Sequence, residues 1–158
     1  MSGMNKGLFY LFEERVPLRM HQTLRKELSE GRRVLYISKN SPRLLETQLE
    51  FEEGLLDARW LSPRPFADCV PPMNLEMFED VVYEFLYENP DGIIAINGLD
   101  VMEMWNSFHP IIDMLSRLKN KVNIGNNNMV MSLDPKNFYP PKLAMLENIT
   151  DEIISSYA

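Results

Sequence analysis

Short unbroken apolar runs and longer stretches with an apolar residue every three or four positions take turns along the chain. The runs are Leu8 to Phe12, Val34 to Ile37, Ala58 to Leu61, Ile93 to Ile96 and Met129 to Leu133. Their length and their β-branched and aromatic content predict five strands. Ile93 to Ile96 shows no polar alternation, as a central parallel strand buried on both faces requires. Between the runs, helical stripes recur: Met20, Leu24 and Leu28; Leu45 and Leu49; Phe78, Val81, Val82, Phe85 and Leu86; Ile111, Ile112, Leu115 and Leu118. A last helix is predicted from about 141 to 157, with Leu143, Leu146, Ile149, Ile153 and Tyr157 on its inner side.

The punctuation agrees with this alternation. Pro17 suits the first turn of a helix, and Gly31 suits its end, with Arg32 and Arg33 beside the negative terminus. Ser41 and Asn74 are placed as N-caps, and Gly54 ends the second helix. The stretch Ser62 to Pro72 holds four prolines and reads as a stiff loop. Asn89-Pro90-Asp91-Gly92 and Gly125 to Asn128 read as turns. Residues 99–105 are expected to form a short turn. The helix after them is capped by Asn106 or Ser107 and carries Pro110 in its first turn. Strands and helices alternating in this way predict an α/β fold: three α/β/α layers around a mainly parallel, five-stranded sheet with right-handed crossovers. At 158 residues, a single domain over 1–158 is expected, with 1–6 as a flexible N-terminus.

Composition narrows the function classes. No apolar run is long enough to span a membrane, and the first residues lack an apolar signal core, so a cytoplasmic protein is expected. The single cysteine, Cys69, has no partner within the chain and no activating base near it in sequence. The net charge of −7 argues against general nucleic-acid binding. It is unevenly spread: residues 1–66 hold 11 Lys/Arg against 9 Asp/Glu, and residues 67–158 hold 5 against 14. Solvated helix faces account for that excess, and an acidic docking surface is the alternative. Eleven methionines are many; core filling explains them, with a methionine-lined partner groove as the other reading. His21 and His109 fall on different helices and read as ordinary surface or hydrogen-bonded histidines. No Cys/His spacing suggests a metal cage, and no serine sits in a glycine-flanked elbow.

The passage Glu30-Gly31-Arg32-Arg33-Val34-Leu35-Tyr36-Ile37-Ser38 resembles the helix-to-strand passage of RecA-like ATPases of the KaiC type. Gly92 to Asn97, followed by Gly98-Leu99, resembles their metal-coordinating strand. A nearer resemblance is to the archaeal domain-of-unknown-function family 835, over about residues 7–147. It rests on Gly7-Leu8-Phe9-Tyr10-Leu11, the Asn97-Gly98-Leu99 corner, the Ser132-Leu133-Asp134-Pro135 corner and Leu143-Ala144-Met145-Leu146-Glu147. That resemblance implies an archaeal source and no assigned activity.

The departures from the ATPase pattern carry the functional expectation. A phosphate loop needs glycines, a lysine and a hydroxyl, and Glu13-Glu14-Arg15-Val16-Pro17 supplies none of them. The metal-coordinating strand of those ATPases usually ends in Asp, and here it ends in Asn97. Where they often carry a catalytic Glu, this chain has Ser38-Lys39-Asn40. The expectation is therefore a non-enzymatic regulatory or protein-interaction module in signalling or assembly, on a RecA-like scaffold without its phosphate loop. It needs no metal or cofactor, binds neither nucleic acid nor membrane, and has a protein partner, with self-association left open. The alternative is a small-molecule or nucleotide site in the crevice beyond the strand ends, where open α/β sheets bind ligands. Its candidate residues are Glu13, Arg15, Lys39, Asn40, Arg64, Asn97 and Asp134.

Overall fold

A computed structural model of the chain describes residues 4–49 and 54–156. In chain order the elements are β1 (Phe9–Glu13), α1 (Leu18–Ser29), β2 (Val34–Ser38), α2 (Pro42–Leu49), β3 (Leu56–Leu61), β4 (Cys69–Val70) and α3 (Leu75–Glu88). They continue with β5 (Ile93–Asn97), α4 (Leu99–Trp105), α5 (Phe108–Asn123), β6 (Asn128–Leu133), α6 (Pro140–Ile149) and β7 (Glu152–Ser155). One sheet runs in the order β4-β3-β2-β5-β6-β1-β7, and every pairing in it is parallel.

Strand alternation sorts the core into two layers. On one side Tyr10, Phe12, Val34, Tyr36 and Val130 meet Met20, Leu24 and Leu28 of α1 and Leu45 and Leu49 of α2. On the other, Phe9, Leu11, Ile37, Ile94 and Met131 meet Phe78, Val82 and Phe85 of α3, Ile111 and Leu115 of α5, and Leu146 of α6. Helix α3 begins as expected, with Asn74 Oδ1 accepting from the Met77 N–H at 3.0 Å. Helix α1 ends at a left-handed Gly31 (φ 90°), the conformation a residue without Cβ adopts at low cost. Arg32 follows Gly31 directly. It is buried, donating to Glu27 and Asn128 at 3.0 Å and to the Asp91 carbonyl at 3.0 and 2.7 Å.

Three expectations are corrected. The sheet has seven strands rather than five, because β4 joins β3 at one edge and β7 joins β1 at the other. The last helix stops at Ile149, and the chain then turns extended at Thr150 (φ −88°, ψ 156°). Asp151 fastens the following segment to β1: its Oδ2 accepts from the Phe9 N–H at 2.8 Å, and its own N–H donates to the Phe9 carbonyl at 2.9 Å. Strand pairing along the open side of β1 thus outweighs the helical spacing of Ile149 and Ile153; Tyr157 lies outside the described residues. Residues 99–105 form a helix, α4, rather than a turn. In the N-terminal stretch expected to be flexible, Met4 packs on the α1–α2 side of the core and the Asn5 carbonyl accepts from Asn128 Nδ2 at 2.8 Å; residues 1–3 lie outside the described residues. No helix among the described residues is long and apolar enough to cross a membrane.

Candidate functional site

The C-terminal ends of β1, β2, β5 and β6 converge on one cavity of about 190 Å³. Five of the seven candidate residues line it: Arg15, Lys39, Asn40, Asn97 and Asp134. The other two lie elsewhere. Arg64 stacks over the Trp60 ring at 4.8 Å, out on the proline-rich loop. Glu13 points to the opposite side of the sheet, toward Glu147 of α6.

Glu14, absent from the seven candidate residues, organises the site. It is 4% exposed. Its Oε1 accepts from the Arg19 N–H at 2.8 Å and its Oε2 from the Met20 N–H at 3.2 Å. These are free amides of the first turn of α1. Pro17, at the N-cap position, has no side-chain acceptor to satisfy them. The Ser132 hydroxyl donates to the same carboxylate at 3.3 Å, and the Glu14 N–H is held by the Leu133 carbonyl at 3.0 Å. A helix N-terminus after the first strand is where an α/β fold receives a phosphate, through exposed amides and the positive end of the helix dipole. Here a carboxylate of the chain itself takes those amides. A glutamate shortly before a proline-opened helix was the available signal for this arrangement.

The cations of the cavity are partly engaged. Lys39 Nζ contacts Asp100 Oδ2 at 2.9 Å, both half-exposed, so the pair is screened by solvent. The Asn40 N–H donates to Ser38 Oγ at 3.0 Å, fixing the turn after β2. Asp134 Oδ1 accepts from the Lys136 N–H at 3.0 Å and caps the short 3-10 turn Pro135–Asn137. Arg15 is exposed at the rim. Asn97, at the end of β5, is 7% exposed and its side chain reaches the Tyr36 hydroxyl.

Behind the cavity lies a buried polar pair. His21 Nε2 and the Tyr36 hydroxyl share a hydrogen bond of 2.7 Å, with the rings edge-to-face. Burial, with Arg25 nearby, lowers the His21 pKa to about 4, so the ring is neutral at physiological pH. Burial also raises the Tyr36 hydroxyl above its ordinary range. His21 is thus a hydrogen-bonded core histidine, and His109 is exposed on α5. Across the sheet, burial and then the Glu147 carboxyl raise Glu13 to about 7, and its Oε2 has no hydrogen-bond partner.

The chain belongs to the family described as protein of unknown function (DUF835), whose model matches residues 17–149. No curated protein matches it. Among solved structures it is similar to one described as a structural study of Project ID PH0250 from Pyrococcus horikoshii OT3. The two are 15% identical, with a TM-score of 0.66, over 96% of this chain and 83% of that one. At that identity the likeness concerns the fold.

Proposed function

We propose that the chain is a non-catalytic regulatory or protein-interaction module of a signalling or assembly system. Its scaffold is RecA-like and without a phosphate loop, and it is of archaeal, cytoplasmic origin. The observation that carries this reading is the Glu14 carboxylate on the Arg19 and Met20 amides. An incoming phosphate would have to displace a negative group already desolvated and hydrogen-bonded there. Two further features support it. Asn97 stands where a carboxylate would hold magnesium, and its side chain is directed to Tyr36. The nearest lysine, Lys39, is paired with Asp100. Phosphoryl transfer depends on positioned cations and a metal, and a site whose lysine is engaged and whose β5 ends in Asn97 rather than a carboxylate has little with which to lower the barrier. Calorimetric titration with magnesium–ATP and a phosphate-release assay test the reading. The expected result is no saturable binding and no turnover, for the wild type and for Asn97→Asp alike, because such groups act as a unit. Saturable binding or turnover that depends on Arg15 or Lys39 would overturn it.

The cavity itself favours a second reading, a small-molecule site using Arg15, Lys39 and Asn97. Its volume of about 190 Å³ is below the roughly 300–1,000 Å³ of typical ligand pockets, which restricts it to a very small solute. A thermal-shift screen separates the two readings, since a ligand at 100 times its Kd adds about 2.7 kcal/mol of stability.

A further inference from the structure

We propose that the outer edge of β3 is a docking site for an extended peptide of a partner protein, with basic and apolar residues alternating, which adds a strand to the sheet beneath α3. Strand β3 runs from Leu56 to Leu61, yet β4 pairs only with Trp60 and Leu61. The Trp60 N–H donates to the Asp68 carbonyl at 2.7 Å and the Ser62 N–H to the Val70 carbonyl at 3.1 Å. Backbone groups of a strand alternate in direction, so the N–H and C=O of Ala58 and Leu56 face the same way. On that side no strand lies among the described residues. The Val34 N–H donates to the Leu55 carbonyl at 2.8 Å, which places the odd-numbered residues toward β2 and agrees with this phase. Leu56 to Arg59 are only partly buried, whereas β1, β2, β5 and β6 are wholly buried.

The roof for the missing strand is already in place. Helix α3 has 14 residues, about 21 Å at 1.5 Å each, while the two residues of β4 span about 7 Å. The difference is a cavity of about 480 Å³ between Asp57 and Arg59 below and Met77, Val81, Glu84 and Glu88 above. Its charges decide the occupant. Asp57 and Arg59 pair at 2.8 Å, with Glu84 adding to the negative charge around Arg59, and Arg33 donates to the Gly54 carbonyl at 2.7 Å. Glu84 and Glu88 are exposed, and no salt bridge to either is found among the described residues. Four helical residues advance about 6 Å and two strand residues about 6.6 Å. Lysines or arginines at alternate positions of an added strand therefore match the two carboxylates. The residue between them points to the other face, where Leu56 and Ala58 extend the α1–α2 side of the core, and is apolar. A second copy is disfavoured as occupant because its own α3 would bring Glu84 and Glu88 to the same joint. The charged pair Asp57–Arg59 guards the edge against indiscriminate pairing. This edge is separate from the strand-end cavity, so nucleotide binding there would sink the preceding reading and leave this one standing.

The test is panning of a phage-displayed library of random linear heptapeptides on the whole chain. A synthetic peptide of the enriched consensus is then titrated into isotopically labelled protein. Alternating basic and apolar residues are expected. Ala58→Pro removes the outward N–H at an edge position that tolerates proline, and should weaken binding about tenfold or more. The double charge reversal of Glu84 and Glu88 to Lys should do the same. Should Ala58→Pro fail to fold, hydrogen exchange on the wild type decides: the Ala58 amide should exchange freely alone and become protected with peptide, while the Arg59 amide is protected throughout. No enrichment, a consensus without basic residues, undiminished binding to folded Ala58→Pro, or protection gained elsewhere would overturn the proposal. So would a homodimer that Ala58→Pro abolishes.

Discussion

Glu13 and Glu14 are neighbours in sequence and lie on opposite faces of the sheet, in opposite electrostatic settings. Glu14 turns toward α1 and accepts from two helix amides and a hydroxyl. Glu13 turns toward α6 and finds another carboxyl, Glu147. Hydrogen-bond donors meet one carboxyl, and a second carboxyl meets the other.

Removing the Glu14 carboxyl should cost stability. Glu14→Ala leaves the Arg19 and Met20 amides and the Ser132 hydroxyl without their acceptor. A loss of about 2–3 kcal/mol is expected from the missing helix cap and the buried orphans together. Glu14→Gln, which keeps one acceptor oxygen, should lose less. Urea denaturation midpoints check both, and an unchanged midpoint for Glu14→Ala would mean that the carboxylate does not hold the helix start.

The pH profile of stability should show two opposed contributions. Glu13 has a folded-state pKa raised from 4.5 to about 7, so its contribution is present below 4.5 and lost as pH rises through 7. His21 has a folded-state pKa lowered from 6.5 to about 4, so its contribution is present above 6.5 and lost as pH falls through 4. Between about pH 4.5 and 6.5 the two slopes oppose each other, and the wild type should be nearly flat. Glu13→Gln should unmask a rise with pH of about 1 kcal/mol per unit, and His21→Gln a fall of similar size. Parallel profiles for the wild type and both variants would refute the assignment.

Gly92 and Phe85 should behave as a coupled pair. A Cβ on Gly92 would lie 2.5 Å from Phe85 Cε2 and 3.0 Å from the Asn89 carbonyl oxygen. Gly92→Ala should therefore cost about 1–3 kcal/mol by overpacking. Phe85→Ala, which empties a buried position of α3, should cost about 3–5 kcal/mol. The double variant should be more stable than the sum of the two predicts, as a double-mutant cycle would show; strict additivity would argue against the contact.

Ending the chain after Thr150 removes β7 and nothing of α6. The Phe9 N–H loses the Asp151 carboxylate, and the outer side of β1 becomes an open edge. Association of the truncated chain through that edge is expected, read as a concentration-dependent shift in size-exclusion chromatography. A monomeric truncation of unchanged stability would show that β7 is dispensable.

The buried strands and the stripe of α3 were legible because burial on two faces, or on one face of a helix, leaves a periodic mark. The edges were not. Strand β4 is two residues inside a proline-rich loop, too short to carry a period. The sequence of β7 carries a helical mark, with Ile149, Ile153 and Tyr157 spaced four apart, and the unpaired side of β1 decides against it. The candidate site was legible as a set of loop positions, since strand order and direction bring Arg15, Lys39, Asn40, Asn97 and Asp134 together. Which of two adjacent glutamates would face it was not, because that depends on the phase of the last β1 residue relative to α1.

The hold of Glu14 on α1 has a consequence for what such a domain can sense. An occupant joined covalently to its own receptor competes with free anions as an intramolecular partner, at an effective concentration of about millimolar or above. Rising or falling phosphate and nucleotide levels then meet a terminus that is already filled. On that proposed reading, the shape of this end of the molecule is set at folding, by the Glu14 carboxyl on the Arg19 and Met20 amides. Under the function proposed above, information reaches the domain by contact with another molecule rather than by a cycle of loading and hydrolysis.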